Sequence, residues 1–165
     1  MTKKNFWLTF LVIAIVVILD QVSKALIEVN LTTYDKITVI PNFFYISLLY
    51  NKGAAWGSMS DNTPILMLIS ITATLIGLYF CLKNDFTNKK VYSFALALIV
   101  GGAFGNLYDR LYTVVGAQKG VIDFLEFHFG SYVFPSFNIA DSALVIGVIL
   151  LMVDIIFFEE KRKNA

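Results

Sequence analysis

Residues Pro64 to Leu82 read P-I-L-M-L-I-S-I-T-A-T-L-I-G-L-Y-F-C-L, an apolar run without a single charge. A bilayer core about 30 Å thick needs about 20 mostly apolar residues in a helix. The run therefore reads as a membrane crossing, and three more flank it. Phe6 to Leu19 is apolar except for Thr9, and its pattern resumes with Val22 and Ala25-Leu26-Ile27. Val91 to Leu107 is uncharged. Phe137 to Phe158 holds Asp141 near one end and Asp154 near the other. The expected fold is an all-α membrane protein, a four-transmembrane-helix bundle with a small β-containing extracytoplasmic element. Residues 1–165 read as a single integral membrane domain. Its spans are placed at 6–27, 64–82, 91–110 and 137–158, and its outer loops at 28–63 and 111–136.

Composition agrees with that reading. Of 165 residues, 58% are hydrophobic and only 15% charged, where a soluble domain has roughly a quarter charged. A net charge of +1 without a clustered basic face excludes a nucleic-acid partner. Cys81 is the single cysteine, so no internal disulfide forms, and it reads as a small buried hydrophobe. His128 is the single histidine. One His and one Cys do not build a zinc site of three or four such ligands, so no metal or cofactor is expected.

The basic residues set the orientation. Lys3 and Lys4 precede the first span, Lys83, Lys89 and Lys90 lie between the second and third, and Lys161, Arg162 and Lys163 follow the fourth. The opposite loops hold only Lys36, Lys52 and Lys119. The positive-inside rule then puts both termini in the cytoplasm. No small-x-small cleavage site follows the first run, so it reads as a retained helix rather than a signal peptide. In the first outer loop, Lys36 to Tyr50 is rich in β-branched and aromatic residues. It predicts one or two short strands with a turn at Pro41-Asn42. The second outer loop shows Gly116, Gly120 and Gly130 in a Tyr/Phe-rich stretch with no clear periodicity.

Ionisable groups inside a span cost about 2.5 to 3.5 kcal/mol on insertion scales and are functional candidates by default. Here they gather near the outer ends. Asp20 and Lys24 stand at i,i+4 and can pair, either as a structural clasp or as part of a site. Ser23 beside Lys24 suggests a nucleophilic dyad, but adjacent residues do not share a helix face. Asn106, Asp109 and Arg110 end the third span, with Asp109 expected to pair with Arg110, or Arg110 to hold a carboxylate or phosphate. Asn138 is expected to cap the fourth span, with Asp141 in its favourable first turn. Asp154 reads as an interfacial residue at the inner end. No His-based triad, metal cluster or phosphate loop can be assembled. The carboxylates Asp123 and Asp141, with no basic residue adjacent, remain as an acid/base pair in which like charge raises one pKa.

The motifs, in order, are Asp20-Gln21-Val22-Ser23-Lys24, Asn51-Lys52-Gly53-Ala54-Ala55-Trp56-Gly57, and Gly101-Gly102-Ala103-Phe104-Gly105-Asn106-Leu107-Tyr108-Asp109-Arg110. Val121-Ile122-Asp123-Phe124 and Phe134-Pro135-Ser136-Phe137-Asn138-Ile139-Ala140-Asp141-Ser142 follow. Together they resemble bacterial lipoprotein signal peptidase (signal peptidase II), with Trp56 where that family often has Phe. The resemblance implies a metal-free, membrane-embedded aspartic endopeptidase. Its substrates would be diacylglyceryl-modified prolipoproteins, cut immediately before the lipidated cysteine. The catalytic aspartates fall on Asp123 and Asp141. Supporting positions fall on Asp20, Lys24, Asn51, Gly53, Trp56, Asn106, Arg110, Asn138 and Ala140. One chain is expected to suffice, in contact with membrane lipid, in the bacterial cytoplasmic membrane with the site near its outer face. A small transporter would instead spread polar residues through the membrane depth. A non-catalytic scaffold would explain ion pairs but not two unpaired aspartates. A lipid-modifying enzyme fits Arg110 but lacks a phosphate site.

Overall fold

The computed structural model describes residues 6–53, 63–83 and 89–159. The apolar runs form four helices: α1 Phe6–Asn30, α2 Thr63–Lys83, α3 Lys90–Val114 and α4 Ile139–Phe157. Each is long and apolar enough to cross a membrane. Even α4, the shortest at 19 residues, reaches about 28 Å at 1.5 Å per residue. The expected four-helix membrane bundle with a small β element is the architecture found.

α3 is the axis of the bundle. In its apolar stretch 67% of residues are buried, against 17% to 22% in the other three helices. The reason is side-chain size. Its buried face includes Ser93, Ala95, Ala97, Gly101, Gly102, Ala103 and Gly105. In lipid, apolar surface alone does not drive helices together, so close backbone approach through small residues takes over. A Cβ on Gly102 would sit 2.4 Å from the Ala140 carbonyl oxygen and 2.9 Å from the Leu144 side chain. The α3 and α4 backbones therefore touch beside the start of α4. Large apolar side chains such as Leu68, Leu75, Val145 and Met152 face outward, where lipid is their solvent.

Between the helices lies an antiparallel four-stranded sheet in the order β1-β2-β3-β4. Its strands are β1 Lys36–Ile40, β2 Phe44–Asn51, β3 Val121–Phe129 and β4 Tyr132–Val133. The β1–β2 turn places Asn42 at φ 60, a left-handed conformation that Asn tolerates better than most residues. Its N–H donates to the Tyr45 hydroxyl at 2.9 Å. Between the Ile46–Leu125 and Leu49–Asp123 pairs the register shifts. Ser47 and Leu48 there oppose Phe124 alone, a bulge of the kind that re-aims side chains beside active sites. Leu48, Ile122 and Phe124 form a buried cluster against Ile27, Leu31 and Ile139, which seats the sheet on the bundle.

Two expectations are corrected. The loop 111–136, read as without periodicity, contains β3 and β4. Its strand character is masked because Val121 to Phe124 are all buried, so no apolar/polar alternation appears there. Asp154, read as interfacial, is 1% exposed, because α4 turns it inward.

The α3–α4 contact yields a prediction. Gly102→Val should cost about 1–3 kcal/mol through overpacking, read as a lower thermal midpoint of the detergent-solubilised protein. An unchanged midpoint would contradict backbone contact at Gly102.

Candidate active site

In the C-terminal half of α1, Asp20 and Lys24 share a face as their spacing requires, and Lys24 Nζ donates to Asp20 Oδ2 at 2.7 Å. Lys24 also pairs with Asp109 Oδ2 of α3 at 2.8 Å and donates to Asn106 Oδ1 at 3.3 Å. The expected Asp109–Arg110 pair is thereby corrected. Consecutive helix residues point apart, so Asp109 turns to α1 while Arg110 Nη1 donates to Ser70 Oγ of α2 at 3.2 Å. Ser23 Oγ donates to the Asp20 carbonyl at 2.8 Å, an ordinary helix back-bond rather than a dyad.

Asn106 carries the network onward. Its Nδ2 donates to Asp141 Oδ1 at 2.7 Å. Asp141 opens α4 inside a capping box: Asn138 Oδ1 accepts from the Asp141 N–H at 2.9 Å, and Asp141 Oδ2 accepts from the Asn138 N–H at 3.2 Å. This arrangement satisfies two of the donors that every helix start leaves open. Asn138 Nδ2 then reaches Asp123 Oδ1 at 2.7 Å, with the Ile122 carbonyl and Asn106 Oδ1 each at 3.2 Å. The segment before α4 is itself paired to β3. The Phe137 carbonyl accepts from Phe124 and Leu125, and the Phe137 N–H donates to the Leu125 carbonyl. Asp123 on a strand and Asp141 on a helix are thus tied together through backbone as well as side chains.

Asp123 Oδ2 accepts from Asn51 Nδ2 at 2.9 Å, and Asn51 Oδ1 accepts from the Gly53 N–H at 2.9 Å. Burial first, and then the Asp141 charge, push Asp123 up to about 7, against the opposing pull of the Asn51 bond, the Lys24 charge and the Asn138 bond. Ala140 donates its N–H to Asp20 Oδ1 at 2.9 Å. A cavity of about 880 Å³ opens over both aspartates. Asn51, Gly53, Asn106 and Arg110 line it on one side, and Phe134, Phe137, Val145 and Ile146 supply an apolar wall.

One network or its cavity therefore gathers Asp20, Lys24, Asn51, Gly53, Asn106, Arg110, Asp123, Asn138, Ala140 and Asp141. Trp56 and most of the Asn51–Gly57 loop lie outside the described residues. Sequence reasoning missed Gln21, whose amide reaches Asp20, Asp109 and the Gly105 carbonyl. Its only signal is its place inside the Asp20–Lys24 motif. A second cluster on the sheet, Glu126 with Lys36, Ser47 and His128, was also missed. There burial pushes Glu126 up, but hydrogen bonds from Lys36, His128 and Ser47 and the Lys36 charge outweigh it and hold its carboxyl at about 2. Among the described residues, no three His, Cys, Asp or Glu side chains cluster as metal ligands.

Removing Lys24 would strand two buried carboxylates. Lys24→Met should cost about 3–5 kcal/mol, the usual result of breaking a buried pair from one side. The measurement is folded yield and thermal midpoint in detergent, and a midpoint equal to the parent's would refute the shared counter-charge.

Known proteins resemble this chain in sequence and in fold. Residues 12–157 match the family model described as signal peptidase (SPase) II. The lipoprotein signal peptidase of Bacillus pumilus (strain SAFR-032) is 36% identical over 156 residues, covering 94% of this chain and 97% of its own. That of Francisella tularensis subsp. novicida (strain U112) is 38% identical over 159 residues, covering 93% and 95%. A bacterial membrane enzyme solved by the in meso method at 2.3 Å superposes with a TM-score of 0.78 at 36% identity, over 89% of this chain and 86% of that one. A second such structure, at 1.9 Å, gives 0.76 at 36% identity over 91% and 93%. This multi-pass bacterial membrane protein belongs to the signal peptidase II family.

Proposed function

We propose that Asp123 and Asp141 are the catalytic pair of this aspartic endopeptidase, which removes the signal peptide from diacylglyceryl-modified prolipoproteins, cutting before the lipidated cysteine. The observation that carries the assignment is their convergence. Two carboxyls, one from β3 and one from α4, face one cavity and are bridged by the neutral amides of Asn138 and Asn106. No lysine or arginine bonds either one among the described contacts, whereas Asp20 and Asp109 are both neutralised by Lys24.

The chemistry follows from that difference. Asp123, with its carboxyl raised to about 7, keeps a proton near neutrality. Asp141 accepts from the Asn106 amide and from the Asn138 N–H. The ionised member takes a proton from water as it attacks the scissile carbonyl, and the protonated member serves the oxyanion or the leaving amine. Asn51, Asn106 and Asn138 orient the two carboxyls, and Arg110 and Gly53 line the approach. Asp20, Lys24 and Ala140 hold the scaffold beneath. A signal peptide enters as a helix, and the unwound segment that cleavage needs is tolerable in a membrane only where protein or trapped water satisfies it. The cavity supplies such a place, and its wall of Phe134, Val145 and Ile146 suits acyl chains.

The lysine-rich segments lie at the opposite span ends from this network. The positive-inside rule therefore puts both termini in the cytoplasm and the site near the outer face. All the residues named come from one chain, so residues 1–165 act as one domain and as a monomer. The reaction needs no metal ion.

Asp123→Asn and Asp141→Asn, tested separately on a diacylated prolipoprotein, should each abolish the gel shift of signal-peptide loss. Normal processing by either variant would sink the assignment, and loss of activity to a chelator would refute the metal-free reading. kcat/KM should fall as pH rises through about 7, where Asp123 gives up its proton. The folded chain binds that proton more tightly than the unfolded chain, so stability also declines as pH rises through the same range. A profile flat from pH 6 to 9 would contradict the protonated role of Asp123.

A further inference from the structure

Two buried carboxylates outside the cavity grip the backbone at matching places. Asp20 Oδ1 accepts the N–H of Ala140, the residue before Asp141, at 2.9 Å. Asp109 Oδ2 accepts the N–H of Ile122, the residue before Asp123, at 3.3 Å. The two carboxylates are tied to each other. Lys24 Nζ lies 2.7 Å from Asp20 Oδ2 and 2.8 Å from Asp109 Oδ2. The Gln21 amide donates to Asp20 Oδ2 and Asp109 Oδ1, each at 3.1 Å, and to the Gly105 carbonyl at 3.2 Å. Asp20, Asp109 and Lys24 are at most 2% exposed. Neither Asp109 nor Gln21 lines the cavity, so neither meets substrate there.

Ile122 sits opposite Tyr50 in the β2–β3 ladder, yet its N–H bonds α3. Asp109 thus pins β3 to α3 one residue from Asp123, as Asp20 pins α4 to α1 one residue from Asp141. A charged acceptor makes a stronger bond than a neutral one. Both Ile122 and Asp109 are buried.

We propose that Asp109 is a positioning residue for the catalytic pair: through the Ile122 N–H it holds Asp123 in register with Asp141, locked to Asp20 by Lys24 and Gln21. This deepens the reading of Asp123 and Asp141 as the catalytic pair and rests on it. A misplacement of about 1 Å at reacting groups costs about 100-fold in rate, so a slip of β3 should appear in turnover rather than in substrate binding.

The test uses the full chain in detergent with a diacylated prolipoprotein. Asp109→Leu keeps volume, removes the acceptor and leaves Lys24 neutralised by Asp20. Its kcat should fall about 100-fold, with KM within about twofold because the cavity is untouched. Asp109→Asn keeps an acceptor oxygen and should recover about tenfold of that loss. Asp154→Asn, a buried charge change far from the cavity, should lower the thermal midpoint and leave kcat per folded molecule unchanged. An Asp109→Leu variant that folds with wild-type kcat, or that changes KM alone, overturns the proposal.

A second measurement needs no variant. In protein labelled with 15N-isoleucine, the Ile122 amide should be among the slowest isoleucine amides to exchange outside the helices, and an Ile122 amide exchanging freely overturns the proposal. Asp123→Asn and Asp141→Asn in the same assay keep the two readings apart. Turnover by either refutes the catalytic pair, while the Ile122 exchange rate still judges the grip of Asp109.

Discussion

Lys24 is where the constraints of this molecule meet. A lysine side chain 2% exposed has lost its water, and the effective penalty for such a charge is several kcal/mol unless geometry and further hydrogen bonds offset it. Asp20 and Asp109 offset it from two helices. Each carboxylate then brings its own unsatisfied acceptors, and these are met by Gln21, by the Ala140 N–H and by the Ile122 N–H. Among the described residues no buried side-chain nitrogen or oxygen lacks a partner. A fully satisfied buried network specifies one arrangement, and a partly satisfied one is costly. The requirement for completeness draws α1, α3, β3 and the start of α4 to one point.

The same requirement separates the four aspartates near the site. Asp20 and Asp109 share a cation and keep to the scaffold. Asp123 and Asp141 receive amides in place of cations. An amide orients a carboxyl without supplying a counter-charge, so no lysine or arginine bonds the second pair among the described contacts. The two pairs differ in their partners, since the residue type is the same in all four.

The helices were legible because lipid imposes a one-dimensional rule. Pro64 to Leu82 must be apolar throughout, and length alone marks it. The Asp20–Lys24 pair was legible for a related reason, since i,i+4 spacing is local geometry. Partners across elements were not. Asp109 was assigned to its neighbour Arg110, because only a folded bundle shows Lys24 to be nearer. β3 was missed because a strand covered on both faces at Val121 to Phe124 shows no alternation. Asp154 looked interfacial from its place near a span end, but its azimuth around α4 depends on packing. Gln21 offered nothing beyond its company. The motifs that carried the family resemblance did mark the right neighbourhood, since the Ala140 carbonyl against Gly102 and the Asp20 carboxylate against Gly105 leave little room for other residues.

The capping box at Asn138 has a kinetic side. Helix ends fray readily, and α4 begins with Asp141 inside its first turn. Unwinding that single turn withdraws Asp141 from Asn106 and releases Asn138 from Asp123 at once. The two aspartates are therefore held in one network only while that turn is closed.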